Sequence, residues 1–197
     1  MDIKLTFIND APAAGGVDIV ICGTPPQGNV VAWRLIQQCA PGDSYPFVYP
    51  DESTIGYEDS YGNHTRQLTA QLGQQFVAVR TPDGDTIERV DAPGPPAGLV
   101  LSNRLPEGAI TVGIYKDGLL FASLPGVTPQ QEVMIELPSV LWIGAASQIE
   151  QGEVFDPAAL ADITTQLSLP GIASADIVMT GGGNDPLVFT LTNIVNA

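Results

Sequence analysis

The chain has 197 residues, of which 44% are hydrophobic and 15% are charged, and its formal net charge is −15 at pH 7. This composition is typical of a globular protein and excludes a largely disordered one. Because the chain has 22 acidic residues and only 7 Lys and Arg, binding to a phosphate backbone or an anionic bilayer is unfavourable. We therefore expect no nucleic-acid partner and no membrane partner.

The N-terminus begins MDIKLTFIND, with an acid at position 2 and no apolar stretch of signal-peptide length. No window approaches the length of a membrane helix. We therefore expect a cytoplasmic protein, or one exported without a cleaved signal peptide. In a cytosol Cys22 and Cys39 stay reduced, with Cys22 as a buried small hydrophobe. The alternative is a Cys22–Cys39 disulfide.

The elements that the pattern predicts are short strands between Gly- and Pro-marked turns, because the 21 glycines and 17 prolines are spread along the chain. In the first half they are 3–8, 17–22, 30–36, 45–49, 54–61, 67–72, 76–80 and 86–90. In the second half they are 99–103, 109–115, 119–124, 132–137, 140–146, 163–169, 176–180 and 187–194. Long helices are absent from the pattern. The fold class predicted is all-β, an antiparallel β-sandwich with little helix.

The stretch 91–98 separates the two halves, since three prolines and two glycines within eight residues cannot continue a ladder. We therefore predict a first β-sandwich module at 1–92, a Pro/Gly linker at 93–98 and a second β-sandwich module at 99–197.

The two halves also resemble each other in sequence. The segments LTFIND (5–10), VDIVIC (17–22) and Ile55-Gly56 recur in the same order as LVLSNR (99–104), ITVGIY (110–115) and Ile143-Gly144. A repeated supersecondary unit indicates duplicated β-modules. The repeat concerns packing and names no reaction.

The regular strand spacing resembles that of immunoglobulin-like and fibronectin-like sandwiches. The chain lacks the Cys, Trp, Cys spacing of true immunoglobulin domains, because Cys22 and Cys39 lie too close together around Trp33. The resemblance implies two tandem related sandwiches and brings no functional residue with it.

Four of the five tyrosines lie in the stretch 44–63. On extended strands, alternate aromatic residues point to one face. If exposed, they form a strip that stacks on sugar rings or anchors a protein partner; if buried, which aromatic alternation favours, they fill the core. The candidate binding residues are Tyr45, Phe47, Tyr49, Tyr57, Asp59, Tyr61, Asn63 and His64.

Asp59, Ser60 and His64 supply the residue types of a nucleophilic triad. Their closeness in sequence does not establish that geometry, because a Gly62-Asn63 turn scatters the side chains. We therefore expect an exposed turn histidine and assign no catalytic residue. With one histidine and two separated cysteines, a zinc site lacks ligands.

Calcium is the remaining metal candidate, because Asp83, Asp85 and Glu88 offer carboxylates at short spacing. They match no EF-hand loop, and a hairpin turn at 82–84 is the favoured interpretation. The run Gly181–Gly183 is a hairpin connection, since a phosphate loop opens a helix and none follows it.

The absence of any convergent polar motif favours a non-enzymatic structural or interaction protein, one that binds protein partners or self-associates. The alternative is a carbohydrate-binding, lectin-like module that uses the Tyr-rich hairpin, with calcium assisting. Two weaker alternatives are a membrane-active β-sandwich toxin, for which the basic face is missing, and a glycoside-acting enzyme with a carboxylate pair such as Glu150 and Glu153.

Overall fold

Every regular element that the structure describes is a β-strand, as predicted. A computed structural model describes residues 1–12, 16–23, 29–137, 140–146, 149–155 and 164–197. The strands in these ranges are β1 Ile3–Asn9, β2 Val17–Gly23, β3 Val30–Cys39, β4 Ser44–Tyr49, β5 Ser53–Glu58, β6 Leu68–Ala70, β7 Gln75–Thr81, β8 Gly84–Val90, β9 Gly98–Asn103, β10 Ile110–Lys116, β11 Leu119–Val127, β12 Glu132–Glu136, β13 Val140–Ala146, β14 Val154–Phe155, β15 Thr164–Ser168, β16 Ile172–Gly182 and β17 Asp185–Asn196. No described residue belongs to a helix long and apolar enough to cross a bilayer.

The strands form because apolar side chains alternate along them and glycines reverse the chain between them. In β1, Ile3, Leu5 and Phe7 are buried and their neighbours are not. Asp117 and Gly118 both have positive φ, of 54° and 73°. They make the two-residue turn of the β10–β11 hairpin.

The strands make four small sheets in two compact units. Unit 1 comprises residues 1–23, 31–51 and 139–197, and unit 2 comprises residues 24–30 and 52–138. The sheets of unit 1 have the orders β17-β16-β1-β4 and β14-β3-β2-β13-β15. Those of unit 2 have the orders β12-β9-β7-β8 and β11-β10-β5-β6.

These units differ from the modules predicted at 1–92 and 99–197. Each unit takes strands from both sides of residues 93–98, because the partners of several strands are distant in sequence. Thus β1 pairs with β16, and β5 pairs with β10. The segment 93–98, predicted as a linker, is an internal connection of unit 2, where the Gly94 amide donates to the Gly73 carbonyl at 2.7 Å.

The two units share one pattern of strand pairing. In unit 1, β1 pairs in parallel with β16 and antiparallel with β4. In unit 2, β9 pairs in parallel with β7 and antiparallel with β12. The predicted antiparallel arrangement is therefore wrong for the pairs β1–β16 and β7–β9, because strands that no tight hairpin joins can pair in either direction. Strand β2 lies between β3 and β13, and β10 lies between β11 and β5. Corresponding strands therefore occupy corresponding places in the two units.

A fully buried asparagine ends the first strand of this pattern in unit 1. The Asn9 side chain accepts a hydrogen bond from the Ala11 amide at 3.0 Å and donates one to the Cys39 carbonyl at 3.2 Å. Its backbone pairs with the turn between β3 and β4, at Gly42 and Asp43. One residue thus joins the ends of β1 and β3 to the start of β4.

Asn103 makes the same set of bonds at the end of β9 in unit 2. Its side chain accepts from the Leu105 amide at 3.0 Å and donates to the Val127 carbonyl at 2.9 Å. Its backbone pairs with Gln130 and Gln131, in the turn between β11 and β12. Both amides are 0% exposed, so no solvent competes for these bonds.

Aromatic packing joins the two sheets of unit 1. Trp33, on β3, is fully buried and meets Phe47 and Tyr49 of β4 edge-on, with ring centroids 6.2 Å and 5.9 Å away. The Arg34 guanidinium lies 4.7 Å from the centroid of the Trp33 ring. Trp142 is half-buried on β13.

The two cysteines are free and buried, at opposite ends of the β2–β3 hairpin. Cys39 lies opposite Val17, whereas Cys22 lies opposite Ala32. Burial raises the pKa of the Cys22 thiol to about 12. The thiolate is therefore disfavoured, and the register does not suit a bond between the two residues.

We predict that Asn9→Ala destabilises unit 1 by about 1–3 kcal/mol, because the Ala11 amide and the Cys39 carbonyl lose a buried partner. Both tryptophans belong to unit 1, so denaturant unfolding followed by tryptophan fluorescence measures this loss. The matched control is Asn196→Ala, at an exposed residue of the same unit. Equal midpoints for the two variants would contradict the role of Asn9.

Candidate functional site

The Tyr-rich stretch does not form the predicted hairpin. Strand β4 pairs with β1 in unit 1, whereas β5 pairs with β10 and β6 in unit 2. The cause is again long-range pairing, which gives each of the two strands a partner distant in sequence. The aromatic residues of β4 and β5 therefore belong to different units.

Most of these rings lie inside their own unit. Tyr49 is 6% exposed and Tyr57 is 2% exposed, while Tyr45 and Phe47 are half-buried. The Tyr57 hydroxyl donates to the Thr86 carbonyl of β8 at 3.4 Å, which joins the two sheets of unit 2. Burial, together with the charges of Asp85 and Asp59, raises the pKa of Tyr57 to about 12.

Tyr61 is the exception, because its side chain is 90% exposed. It lies in the turn that follows β5, where Asn63 and His64 are exposed as well. Of the eight candidate binding residues, three are thus exposed at one turn, with the half-buried Asp59 at its start.

Asp59 holds this turn together. Its Oδ1 atom accepts from the amides of Tyr61 and Asn63 at 2.8 Å and 2.9 Å, and its Oδ2 atom accepts from the Asn63 side chain at 2.9 Å. Hydrogen bonds from the Asn63 side chain and backbone hold the pKa of Asp59 below its ordinary value. The carboxylate is thereby committed to the backbone of its own loop.

The residue types of a triad are present at this turn, but the structure does not assemble them. Among the described residues, no hydrogen bond joins His64 to Ser60 or to Asp59. His64 instead makes an isolated β-bridge with Glu58. Ser60 and His64 are both exposed, and the residue that would orient the base is engaged elsewhere.

Beside the turn lies a cleft of unit 2 with a volume of about 150 Å³. It lies between the turn after β5, the β7–β8 hairpin and the segment that precedes β10. The polar residues that line it are Asp59, Ser60, Tyr61, Arg80, Asp85 and Glu107. Three carboxylates, one guanidinium, one phenol and one aliphatic hydroxyl therefore line a small open space.

Arg80 and Asp85 form an ion pair across the β7–β8 hairpin, where they are register partners. The guanidinium donates to both carboxylate oxygens, at 2.7 Å and 3.1 Å. The pair raises the pKa of Arg80 and lowers that of Asp85. Both groups stay charged at neutral pH, in the fork geometry that suits a carboxylate.

The predicted calcium ligands do not converge. Asp85 is engaged by Arg80, and Glu88 is three residues further along the same strand, on its other face. Asp83 lies in the turn itself, as the hairpin interpretation requires. Within the described ranges, no group of three His, Cys, Asp or Glu side chains is arranged to hold a metal ion.

The other two sequence candidates are structural. The Glu153 carboxylate accepts from the Glu150 amide at 2.8 Å, and the Glu153 amide donates back to the Glu150 carbonyl at 3.0 Å. These two carboxylates therefore belong to one local turn. The glycines 181–183 all have positive φ and lie where β16 turns into β17, as the hairpin interpretation expects.

Two cleft residues, Arg80 and Glu107, were missed by sequence reasoning. Arg80 could have been found, because it and Asp85 flank the turn 82–84 at positions that pair across a short hairpin. Glu107 lies in an irregular segment before β10, and nothing in its neighbourhood indicates a site.

Comparison with protein-family models, with curated protein sequences and with solved structures gives no match to this chain. The site is therefore interpreted from its own geometry.

We predict that Asp59→Ala removes the protection of the Tyr61 and Asn63 amides from hydrogen exchange, because both donate to that carboxylate. In the parent protein this protection should also fall as the pH drops through the lowered pKa of Asp59, since the carboxylate is the better acceptor. Asp59→Asn keeps one acceptor oxygen and should retain part of the protection. Unchanged protection factors in Asp59→Ala would contradict this account of the turn.

Proposed function

We propose that the protein is a non-enzymatic interaction protein that self-associates through the free edge of β17. The observation that supports the proposal is the composition of this edge strand. Strand β17 has 12 residues and stands at the end of its sheet, with β16 on one side and no strand on the other among the described residues. From residue 186 to residue 197 it carries no charged side chain.

Three large apolar side chains of this strand face solvent. Val188, Ile194 and Val195 are 44%, 48% and 56% exposed. A long edge strand with unpaired backbone groups and β-branched residues is a template for strand addition.

The other described sheet edges carry features that oppose such pairing. Strand β8 exposes Asp85, Glu88 and Arg89, and β12 exposes Glu132 and Glu136. Strand β4 has a proline at its centre, and the Asn29 amide donates to the Ser123 carbonyl of β11 at 3.0 Å. The three remaining edge strands, β6, β14 and β15, have two to five residues. Charged side chains, a proline, a covering segment and a short length all commonly prevent a sheet edge from pairing with another chain.

A second copy of the chain is the partner that fits β17 best. With a net charge of −15, two copies repel each other over most of their surface. An antiparallel β17–β17 contact about a twofold axis brings uncharged residues against uncharged residues. The four-stranded sheet that contains β17 in one copy then joins the same sheet of the second copy to form one continuous sheet.

The proposal assumes that each unit is a two-layer sandwich, a finer architecture than four small sheets. The contacts of Trp33 with Phe47 and Tyr49, and of Tyr57 with Thr86, support it, because they link the two sheets of a unit. We infer immunoglobulin-like layering for each unit on these contacts, with the strands drawn from both halves of the chain.

We predict that the protein dimerises as its concentration rises and that Ile194→Glu abolishes dimerisation, because each copy then presents an acid at the contact. Sedimentation velocity over a dilution series measures this. The control is Met134→Glu, which adds the same charge at an apolar residue, 42% exposed, on edge strand β12. A parent protein that stays monomeric, a dimer that persists in Ile194→Glu, or an equal loss of the dimer in Met134→Glu would overturn the proposal.

A second candidate function is saccharide binding at the cleft of unit 2. It is favoured by the position of Tyr61, whose exposed ring lies beside carboxylates that can accept hydrogen bonds from hydroxyl groups. An aromatic face covers the C–H surface of a sugar ring while polar groups hold its hydroxyls. The volume of about 150 Å³ suits one ring rather than a chain.

We predict that, if the cleft binds saccharide, Tyr61→Ala loses most of the binding while the fold is unchanged. A glycan array probed with and without added calcium measures this, with circular dichroism as the check on folding. Asp83→Ala is the control, because Asp83 is exposed in the neighbouring turn and does not line the cleft. No binding on the array, or equal binding by both variants, would exclude this second candidate.

A further inference from the structure

We propose that the chain consists of two copies of one half-chain, 1–97 and 98–197, that exchange their strands reciprocally. Unit 1 contains the first four strands of the first copy and the later strands of the second copy. Unit 2 contains the first four strands of the second copy, β9 to β12, and the later strands of the first, β5 to β8. Each unit therefore closes only when both halves of the chain contribute to it.

Equivalent residues support this assignment. Asn9 and Asn103 occupy equal positions in LTFIND and LVLSNR and make the same hydrogen bonds. The turns that they contact also correspond. The Asp43 carboxylate accepts from the Ala40 amide at 2.8 Å, and the Gln131 side chain accepts from the Thr128 amide at 2.9 Å.

The exchanged partners correspond as well. In unit 1, Ile143-Gly144 of the second half lies opposite Ile21 and Val20 of the first half. In unit 2, Ile55-Gly56 of the first half lies opposite Ile114 and Gly113 of the second half. The same dipeptide thus pairs with the same strand position, and in both units the two partners come from different halves.

A second arrangement, without exchange, is conceivable because each half contains one full set of equivalent strands. In the competing state, β5 would pair with β2 of its own half, and the two modules would follow one another in tandem. Similar side chains are available to both arrangements, so pairing preferences alone do not separate them.

The lengths of two connections distinguish the exchanged arrangement from the tandem arrangement. Three residues join β4 to β5, between Tyr49 and Ser53, and three join β12 to β13, between Glu136 and Val140. By contrast, seven residues join β8 to β9, between Val90 and Gly98. The two short connections are those that lead from the strands of one unit into the other unit.

A self-closed half would need these three-residue connections to be fully extended. The contacts of Trp33 place β4 against β3, while the strand in the β13 position lies two places further along that sheet. The connection would have to cross about 10 Å between layers and about 10 Å sideways. The combined distance of about 14 Å is the limit of a fully extended connection of three residues. A short connection thus favours exchange, as in domain swapping.

A disulfide between the two halves tests the exchange. Glu58 and Thr111 are register partners on β5 and β10 and lie in different halves. We expect Glu58→Cys/Thr111→Cys to cross-link as a monomer, so that the halves stay together on a non-reducing denaturing gel after cleavage at a protease site placed in 91–97. The control pair is Val79→Cys/Thr86→Cys, register partners within the first half, and its cleaved halves should separate.

Lengthening both three-residue connections with a flexible glycine and serine insertion tests the cause. We expect the cross-link between positions 58 and 111 to be lost and the cleaved halves to separate, with the β-sheet circular dichroism spectrum retained. A second pair, Thr54→Cys/Tyr115→Cys on the same strands, guards against poor disulfide geometry at one site. Separation of the halves with both pairs in the parent would refute the exchange. Full cross-linking after lengthening would refute the role of the connections.

Discussion

The arrangement of each unit depends on one buried asparagine at the end of its first strand. An amide that is 0% exposed must find partners inside the protein, because an unsatisfied polar group there costs about 1–3 kcal/mol. Asn9 and Asn103 find them in the end of one strand and in the turn that begins another. The next residue, Asp10 or Arg104, donates to the strand that pairs in parallel, at Met179 or Ala78. Strands distant in sequence are thereby held at one corner.

Charge and edge protection are the basis of the proposal that a partner binds at β17. The chain is strongly acidic, and most of its described sheet edges are short or carry charges, a proline or a covering segment. The last strand is long, uncharged from residue 186 onward and partly apolar on its exposed side. The cleft beside Tyr61 is a different kind of surface, because its polar groups are partly committed to one another. Asp59 holds its own loop and Asp85 holds Arg80, which leaves the exposed ring and Glu107 as its freer elements.

The sequence predicted the turn 59–63 of the candidate site, but it did not predict all the residues that lie beside this turn. The turn 59–63 was expected from Gly62 and Asn63, and its acid and its exposed tyrosine were named. The favoured interpretation, that the rings fill the core, is correct for Tyr49 and Tyr57, which are buried, each in its own unit. Tyr61 is exposed because it lies in a turn, beyond the end of β5, where strand alternation no longer applies. Arg80 lies at the site because it pairs with Asp85 across the β7–β8 hairpin.

Local pattern by itself determined every described strand except the two-residue β14, the turns between the strands and the correspondence of Asn9 with Asn103, because alternation and turn chemistry act over a few residues. Only the tertiary structure decided which strands pair beyond the local hairpins. Segment 93–98 has the composition of a linker and is nevertheless an internal connection of unit 2, since its neighbours β8 and β9 both pair with β7. Equivalent strands in the two halves have similar edges, so a strand could pair within its own half or with the other half. We infer that long-range pairing and the lengths of two short connections decide between these arrangements. Neither can be deduced from a few neighbouring residues of the sequence.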